Sequence, residues 1–343
     1  MNPIMMSIII SSLALGTVIT MSSTHWLMAW IGLELNTLAI IPIIAKYHHP
    51  RATEATTKYF LTQAAASATV LFSSTINAWS TGTWDIMQLT NPYACIMLTT
   101  ALSMKLGLAP LHFWLPEVLQ GSPLKTALVI TTWQKLAPMT LLYLTHHSLN
   151  TTMLLTMGLM STMIGGWGGL NQTQTRKIMA YSSIAHLGWM TTILTLSPSL
   201  MLLNLALYLM MTLSTFMLLI FSSSKTVKDL TTSWTISPPT TALMLLLLMS
   251  MAGLPPLTGF MPKWLILQDL TSHTLPTTAT LMALSALLSL FFYLRLTYTT
   301  TLTMSPTTTQ NKLKWRLQPK LKTTLLSVAA LMSTALLPIT PTL

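Results

Sequence analysis

Acidic side chains are scarce: six Asp and Glu stand in 343 residues, and charged residues of both signs make up only 7% of the chain. Soluble domains carry about 25% charged residues, so an ordinary water-facing surface is excluded. Cys95 is the single cysteine, which rules out an intrachain disulfide and the four thiolates that normally hold an iron–sulfur cluster. Electron chemistry is therefore expected outside this chain. The sequence has no G-x-G-x-x-G fingerprint and no Walker-type loop, which argues against nucleotide binding. The N-terminus runs straight into an apolar stretch without a basic leader or small-residue cleavage site, so the first helix is expected to remain.

What the chain has in abundance is apolar length. Hydrophobic residues make up 52%, and mean hydropathy is +0.62, the signature of an integral membrane protein. A spanning helix needs roughly 20 apolar residues. Eleven such stretches are expected: Ile4 to Met21, His25 to Ala45, Lys58 to Trp79, Tyr93 to Leu119, Leu124 to Thr145, Thr152 to Leu170, Lys177 to Leu196, Leu200 to Phe221, Thr240 to Asp269, Pro276 to Thr299, and Thr323 to Ile339. A strand barrel would alternate in polarity, whereas runs such as Leu243 to Met249 are apolar on every side. The expected fold is an all-α polytopic membrane protein of about 11 transmembrane helices.

The net charge of +11 is a topology signal rather than a nucleic-acid one. The loops after spans 2, 4, 6, 8 and 10 hold thirteen of the seventeen Lys and Arg: Lys46, Arg51, Lys58, Lys125, Arg176, Lys177, Lys225, Lys228, Lys312, Lys314, Arg316, Lys320 and Lys322. The odd loops hold none. By the positive-inside rule, the N-terminus and even loops face the negative compartment.

Sliding the sequence by 146 positions aligns Gly107-Leu108-Ala109-Pro110-Leu111 with Gly253-Leu254-Pro255-Pro256-Leu257, and Leu115-Pro116-Glu117 with Met261-Pro262-Lys263. The matched segments belong to spans 4 and 9. An offset of five helices, an odd number, implies inverted five-helix repeats, a common transporter plan. The expected division is 1–148, then 149–300, then 301–343 as a basic loop and final helix. Pro110 and the Pro255-Pro256 pair should break their helices, because proline removes a donor and clashes with the preceding turn. Broken helices in matching halves point to an ion site. Gly165, Gly166, Gly168 and Gly169 read as a helix-packing surface.

Charges inside spans cost at least about 2.5 to 3.5 kcal/mol on insertion scales and usually serve a function. Glu34 lies nine residues after His25, about 14 Å into its span. Lys105 and Lys135 also fall near mid-span. Lys263, six residues before Asp269, could instead extend toward the interface. The reading is a proton relay through Glu34, Lys105, Lys135 and Lys263, with Lys135 central and Lys263 nearest the exit; whether Glu34 and Lys105 pair is left open by the sequence. His186, at mid-span, and His112, beside the first break, are candidate relay histidines. Glu117 is either an ion partner or an interfacial carboxylate. No catalytic metal or bound cofactor is expected.

The segments Leu111 to Glu117, Met179 to Met190 and Gly253 to Trp264 closely resemble the antiporter-like subunits of proton-pumping NADH:ubiquinone oxidoreductase, and in particular its mitochondrially encoded, mammalian-type members. The resemblance covers nearly the whole chain. It implies a redox-inert subunit of respiratory complex I in the inner mitochondrial membrane. NADH, FMN, iron–sulfur clusters and ubiquinone would be held by partner subunits, and neighbouring antiporter-like subunits and lipids would be partners, with no nucleic acid. It also implies that Glu34, Lys105, Lys135 and Lys263 lie on the proton path. Members of that family usually have fourteen spans, so a peripheral surface is expected to be open where three N-terminal helices are missing. The halves are chemically unequal, since the 146-residue shift carries Glu34 onto Ala180, Lys105 onto Met251 and Lys135 onto Leu281. A stand-alone cation/proton antiporter and a structural subunit with packing-only charges are the alternatives.

Overall fold

The computed structural model describes residues 2–46, 49–235, 237–302 and 324–338. The sequence readings placed on His48, on the basic run Lys312, Lys314, Arg316, Lys320 and Lys322, and on the ends of the last span lie outside the described residues. Among the described residues there are fifteen α-helices, one 3-10 turn and no strands. Helices satisfy their backbone donors and acceptors internally except at their ends, which is what a hydrocarbon environment demands. The chain forms two compact units, Met1–Ser161 and Thr162–Leu343.

The first unit contains α1 (Pro3–Ser22), α2 (Trp26–Ile44), α3 (Pro50–Thr81), α4 (Pro92–Leu106), α5 (Trp114–Gly121), α6 (Leu124–Thr131) and α7 (Trp133–Thr145). Prolines open α1, α3 and α4, where the missing N–H has no helical partner to lose. His25 and His49 cap α2 and α3, each accepting a backbone N–H through Nδ1 at 3.2 Å. The α3 helix starts eight residues earlier than the expected span, at the His49-Pro50 start signal. Helices α1 and α2 meet through Gly16 and Gly32: a Cβ on Gly16 would sit 2.9 Å from the Gly32 carbonyl oxygen.

A further helix, α8 (Thr151–Gly169), begins in the first unit and ends in the second. The second unit continues with α9 (Thr175–Ile193), α10 (Pro198–Phe221), α11 (Val227–Thr232), a 3-10 turn (Ser233–Thr235), α12 (Pro238–Ala252), α13 (Phe260–Ser272), α14 (Pro276–Leu302) and α15 (Thr324–Thr334). The glycine cluster at the end of α8 packs closely, as its composition suggests: a Cβ at Gly165 would fall 2.7 Å from the Ala185 nitrogen, and one at Gly169 would fall 2.7 Å from the Phe292 ring.

Among the described residues, four helices are individually long and apolar enough to cross a membrane: α1, α2, α10 and α14. Three other expected spans, the fourth, fifth and ninth, are interrupted. Span 4 is split into α4 and α5, and span 9 into α12 and α13, around the prolines named above. Glycine sets the stopping point in both. Gly107 and Gly253 take left-handed φ values of 76° and 80°, and each break carries the paired bonds of a Schellman cap. Leu108 N–H donates to Ser103 O and Gly107 N–H to Met104 O; Leu254 N–H donates to Met249 O and Gly253 N–H to Ser250 O. The expected single span Leu124 to Thr145 needs correction: it is two helices, α6 and α7, offset at Thr132 (φ −107°, ψ −71°). Pro138 lies inside α7 and cannot donate to Gln134 O, which weakens the helix just after that offset. The matching stretch of α14 is continuous.

Candidate proton-relay site

In the first unit, the broken end of α4 gathers the site. A helix C-terminus leaves carbonyls without helical partners and carries partial negative charge, so it attracts cations. Lys135 reaches from α7 and donates its ammonium to Leu106 O, the last carbonyl of α4. The Trp114 indole, from α5, donates to Met104 O at 3.0 Å, and its ring lies 5.6 Å from the Lys135 Nζ, within cation–π range. Lys135 is only 1% exposed. Desolvation of the ammonium is thus offset by a carbonyl, a helix end and an aromatic face.

Lys105 sits one residue before that carbonyl, also buried, and its Nζ has no hydrogen-bond partner. Glu34 Oε2 is likewise buried without one. The two side chains interact through their charges, but they form no ion pair within 4.0 Å. The pairing of Glu34 with Lys105, which the sequence leaves open, is therefore a separated one. Asn36, Gln63 and Lys105 line a small cavity with Tyr59, Trp114 and Lys135, and both polar atoms of the Asn36 side chain and Gln63 Nε2 also lack partners. The cavity is about 10 Å³, roughly the room needed by one water. His112 lies in the break between α4 and α5, buried, with Nδ1 unpartnered and its ring 4.3 Å from that of Phe113.

The second unit repeats this arrangement with different residues. Lys263, from α13, donates to Ala252 O at 2.8 Å. Ala252 is the last residue of α12 and lies 146 positions after Leu106. Each broken helix therefore ends on a carbonyl that receives a lysine ammonium, although Lys135 itself aligns with the exposed Leu281. The extension of Lys263 toward the interface does not occur. His186 is buried on α9, its ring 5.6 Å from that of Tyr208, and it lines a second cavity of about 10 Å³ with Lys263, Trp189, Ser289 and Tyr293.

Glu117, left open by the sequence, accepts from Lys58 at 2.6 Å, and Lys58 also pairs with Glu54 at 2.5 Å. All three are substantially exposed, so Glu117 belongs to a surface ion cluster. Asn36, Gln63 and Trp114 were not singled out from the sequence. The available signal was polar side chains inside apolar spans, weaker than a formal charge. Among the described residues, no group of three or more His, Cys, Asp or Glu is arranged to hold a metal ion.

Comparisons with known proteins bear on the fold and the family. Residues 23–289 match a family model described as NADH:quinone oxidoreductase/Mrp antiporter, TM, and residues 290–343 match NADH dehydrogenase subunit 2 C-terminus. A Xenopus laevis protein named NADH-ubiquinone oxidoreductase chain 2 is 61% identical over 341 residues, covering 99% of each chain. The Latimeria chalumnae protein of the same name is 59% identical over 343 residues, covering 100% of this chain and 99% of its own. Among solved structures, a chain of respiratory complex I from Thermus thermophilus superposes with a TM-score of 0.87 at 24% identity, covering 99% of this chain and 79% of that one. A chain of the Mrp complex from Dietzia gives a TM-score of 0.80 at 17% identity, covering 88% of this chain and 62% of that one. The structural likenesses establish the fold, and the two family matches with the near-full-length relatives establish that the chain belongs to the NADH-ubiquinone oxidoreductase chain 2 family.

Proposed function

We propose that this chain moves protons through paired sites in which a lysine within an apolar span docks on the broken end of a membrane helix. The chain is a proton-translocating membrane subunit of NADH:quinone oxidoreductase and works among the other membrane subunits of that complex. The observation that carries the site assignment is the repeated dock, Lys135 on Leu106 O and Lys263 on Ala252 O.

In the first unit, Glu34, Lys105, Lys135 and His112 form the relay. A carboxylate near a buried lysine favours its protonated form, and moving the two apart favours proton release. The separation of Glu34 from Lys105, with unpartnered polar atoms between helices, supports a setting in which water carries the proton. In the second unit, His186 and Lys263 have the corresponding role, supported by their shared cavity. NADH, FMN, iron–sulfur clusters and ubiquinone belong to partner subunits, and neighbouring antiporter-like subunits and lipids complete the surroundings. The location is the mitochondrial inner membrane, with the N-terminus and even loops on the matrix side, as the basic-residue asymmetry supports.

The test is Lys135→Met in the assembled complex, reconstituted in vesicles. Methionine keeps the apolar stem and removes the titratable amine. The expected result is intact assembly and fewer protons moved per electron. An unchanged proton-to-electron ratio would assign Lys135 to packing, as a structural-subunit reading requires.

A further inference from the structure

Tyr293 of α14 is 1% exposed, and its hydroxyl is buried without a hydrogen-bond partner. Buried polar groups are almost always bonded, so one left open inside an apolar bundle calls for a partner. Ser182 is the side chain within its reach, but the Ser182 hydroxyl donates to Met179 O at 2.7 Å and leaves Tyr293 unengaged. The neighbouring tyrosine differs, because the Tyr208 hydroxyl is engaged by Ser183.

Tyr293 and Ser289 stand four residues apart and so share one face of α14. Both line the cavity of about 10 Å³ that Lys263 and His186 also line. Under the 146-residue shift, α14 is the counterpart of α6 and α7, and Lys135 falls on the exposed Leu281. The span that supplies an ammonium to the first dock therefore supplies hydroxyls beside the second. Lys263 uses one of its three N–H donors on Ala252 O at 2.8 Å, which leaves two. Ser289 donates to Ala286 O at 2.8 Å and keeps an oxygen that can accept. A buried water needs about 10–15 Å³ and two to four polar partners, and this cavity offers both.

We infer that Tyr293 and Ser289 hold one water between Lys263 and His186, with Tyr293 the positioning residue for proton transfer in the second unit. The inference rests on the relay role of Lys263. The water accepts from Lys263 and Tyr293 and donates to His186 and Ser289. In the transfer, the Lys263 ammonium gives one proton to the water, and the water gives one of its own to an unprotonated His186 ring nitrogen. The lysine becomes neutral, the histidine becomes charged and the water is restored. Tyr293 keeps its proton throughout; its hydroxyl fixes the water so that one O–H points at the histidine.

The test compares Tyr293→Phe, Lys263→Met and Tyr208→Phe in the assembled complex, reconstituted in vesicles. Phenylalanine keeps the ring, whose centroid lies 4.4 Å from that of Phe292, and removes only the oxygen. Lys263→Met should lower the protons moved per electron, and Tyr293→Phe should produce part of that loss. Tyr208→Phe, which gives up a bonded hydroxyl, should lower thermal stability and leave the ratio unchanged. An unchanged ratio in Tyr293→Phe beside a lowered one in Lys263→Met overturns the role of the tyrosine and leaves the relay standing. An unchanged ratio in Lys263→Met overturns the relay and this inference with it. Equal losses of coupling in Tyr293→Phe and Tyr208→Phe would assign both hydroxyls to packing and overturn the inference. A high-resolution map of the unaltered complex tests the same point without a variant: water bonded to Tyr293 Oη, Lys263 Nζ and His186 is expected, and a Tyr293 hydroxyl closed onto Ser182 with no water beside it overturns the site.

Discussion

Replacing Gly253 by alanine should disturb the second dock in a way that an equally strained control does not. Gly253 has a φ of 80°, a conformation that costs a residue with a side chain about 1–2 kcal/mol. A Cβ there would lie 3.0 Å from both the Lys263 Cδ and Nζ and 3.2 Å from Gly259 O. The lysine is flexible and can yield, but yielding takes its ammonium off Ala252 O, and a hydrogen bond from a charged donor is worth about 1.5–3 kcal/mol. Gly253→Ala should therefore cost about 2.5–5 kcal/mol. Gly82 supplies the control, with a φ of 72° and nothing within 4 Å of a built Cβ, so Gly82→Ala should cost only the conformational part. The assay compares thermal stability and protons moved per electron in the assembled complex. Gly253→Ala should lower both, while Gly82→Ala lowers stability modestly and leaves coupling intact. Identical behaviour of the two variants would refute the claim that the position of Lys263 on the α12 end matters.

Other expectations follow from the same geometry. Glu117→Gln removes a substantially exposed partner of Lys58, so stability should fall by less than about 1 kcal/mol and coupling should not change; a large loss of pumping would place Glu117 in the path. Asp229 closes a capping box with Thr226. Burial opposes ionisation of its carboxyl, but the Thr226 and Lys225 N–H donors outweigh that and hold it below its ordinary value of 3.8. The ionised cap therefore stabilises α11 above about pH 4 and is lost as pH falls through the lowered value. Asp229→Ala should speed amide exchange across Lys225 to Thr232 by about 1 kcal/mol at neutral pH, and by little in acid.

The parts of the site legible in the sequence were those that break a strong rule. Glu34, Lys105, Lys135 and Lys263 stood out because formal charge is rare inside apolar spans, and the breaks near Pro110 and Pro255 stood out because proline cannot continue a helix. Thr132 gave no such signal: the offset between α6 and α7 carries neither glycine nor proline, and Pro138 lies six residues beyond it. Nor could the sequence show that Lys135 and Lys263 serve equivalent carbonyls. The 146-residue shift compares elements in chain order, whereas the two ammonium groups reach matching helix ends from non-equivalent helices. The α11 cap was present as Thr226 and Asp229, three residues apart, but a helix of six residues leaves too short an apolar pattern to notice. Separation of Glu34 from Lys105 depends on side-chain placement between helices, which depth along each span does not determine.

The central claim is that broken helices hold buried ionisable groups in contact with water. A high-resolution map of the assembled complex tests it most directly, at the cavity bounded by Asn36, Gln63, Lys105 and Lys135 and at the approach from Glu34. Ordered water is expected bonded to Lys105 Nζ, Gln63 Nε2 and Glu34 Oε2, leading toward the α4 break. Direct protein contacts closing those same atoms off, with no water between Glu34 and Lys105, would contradict it.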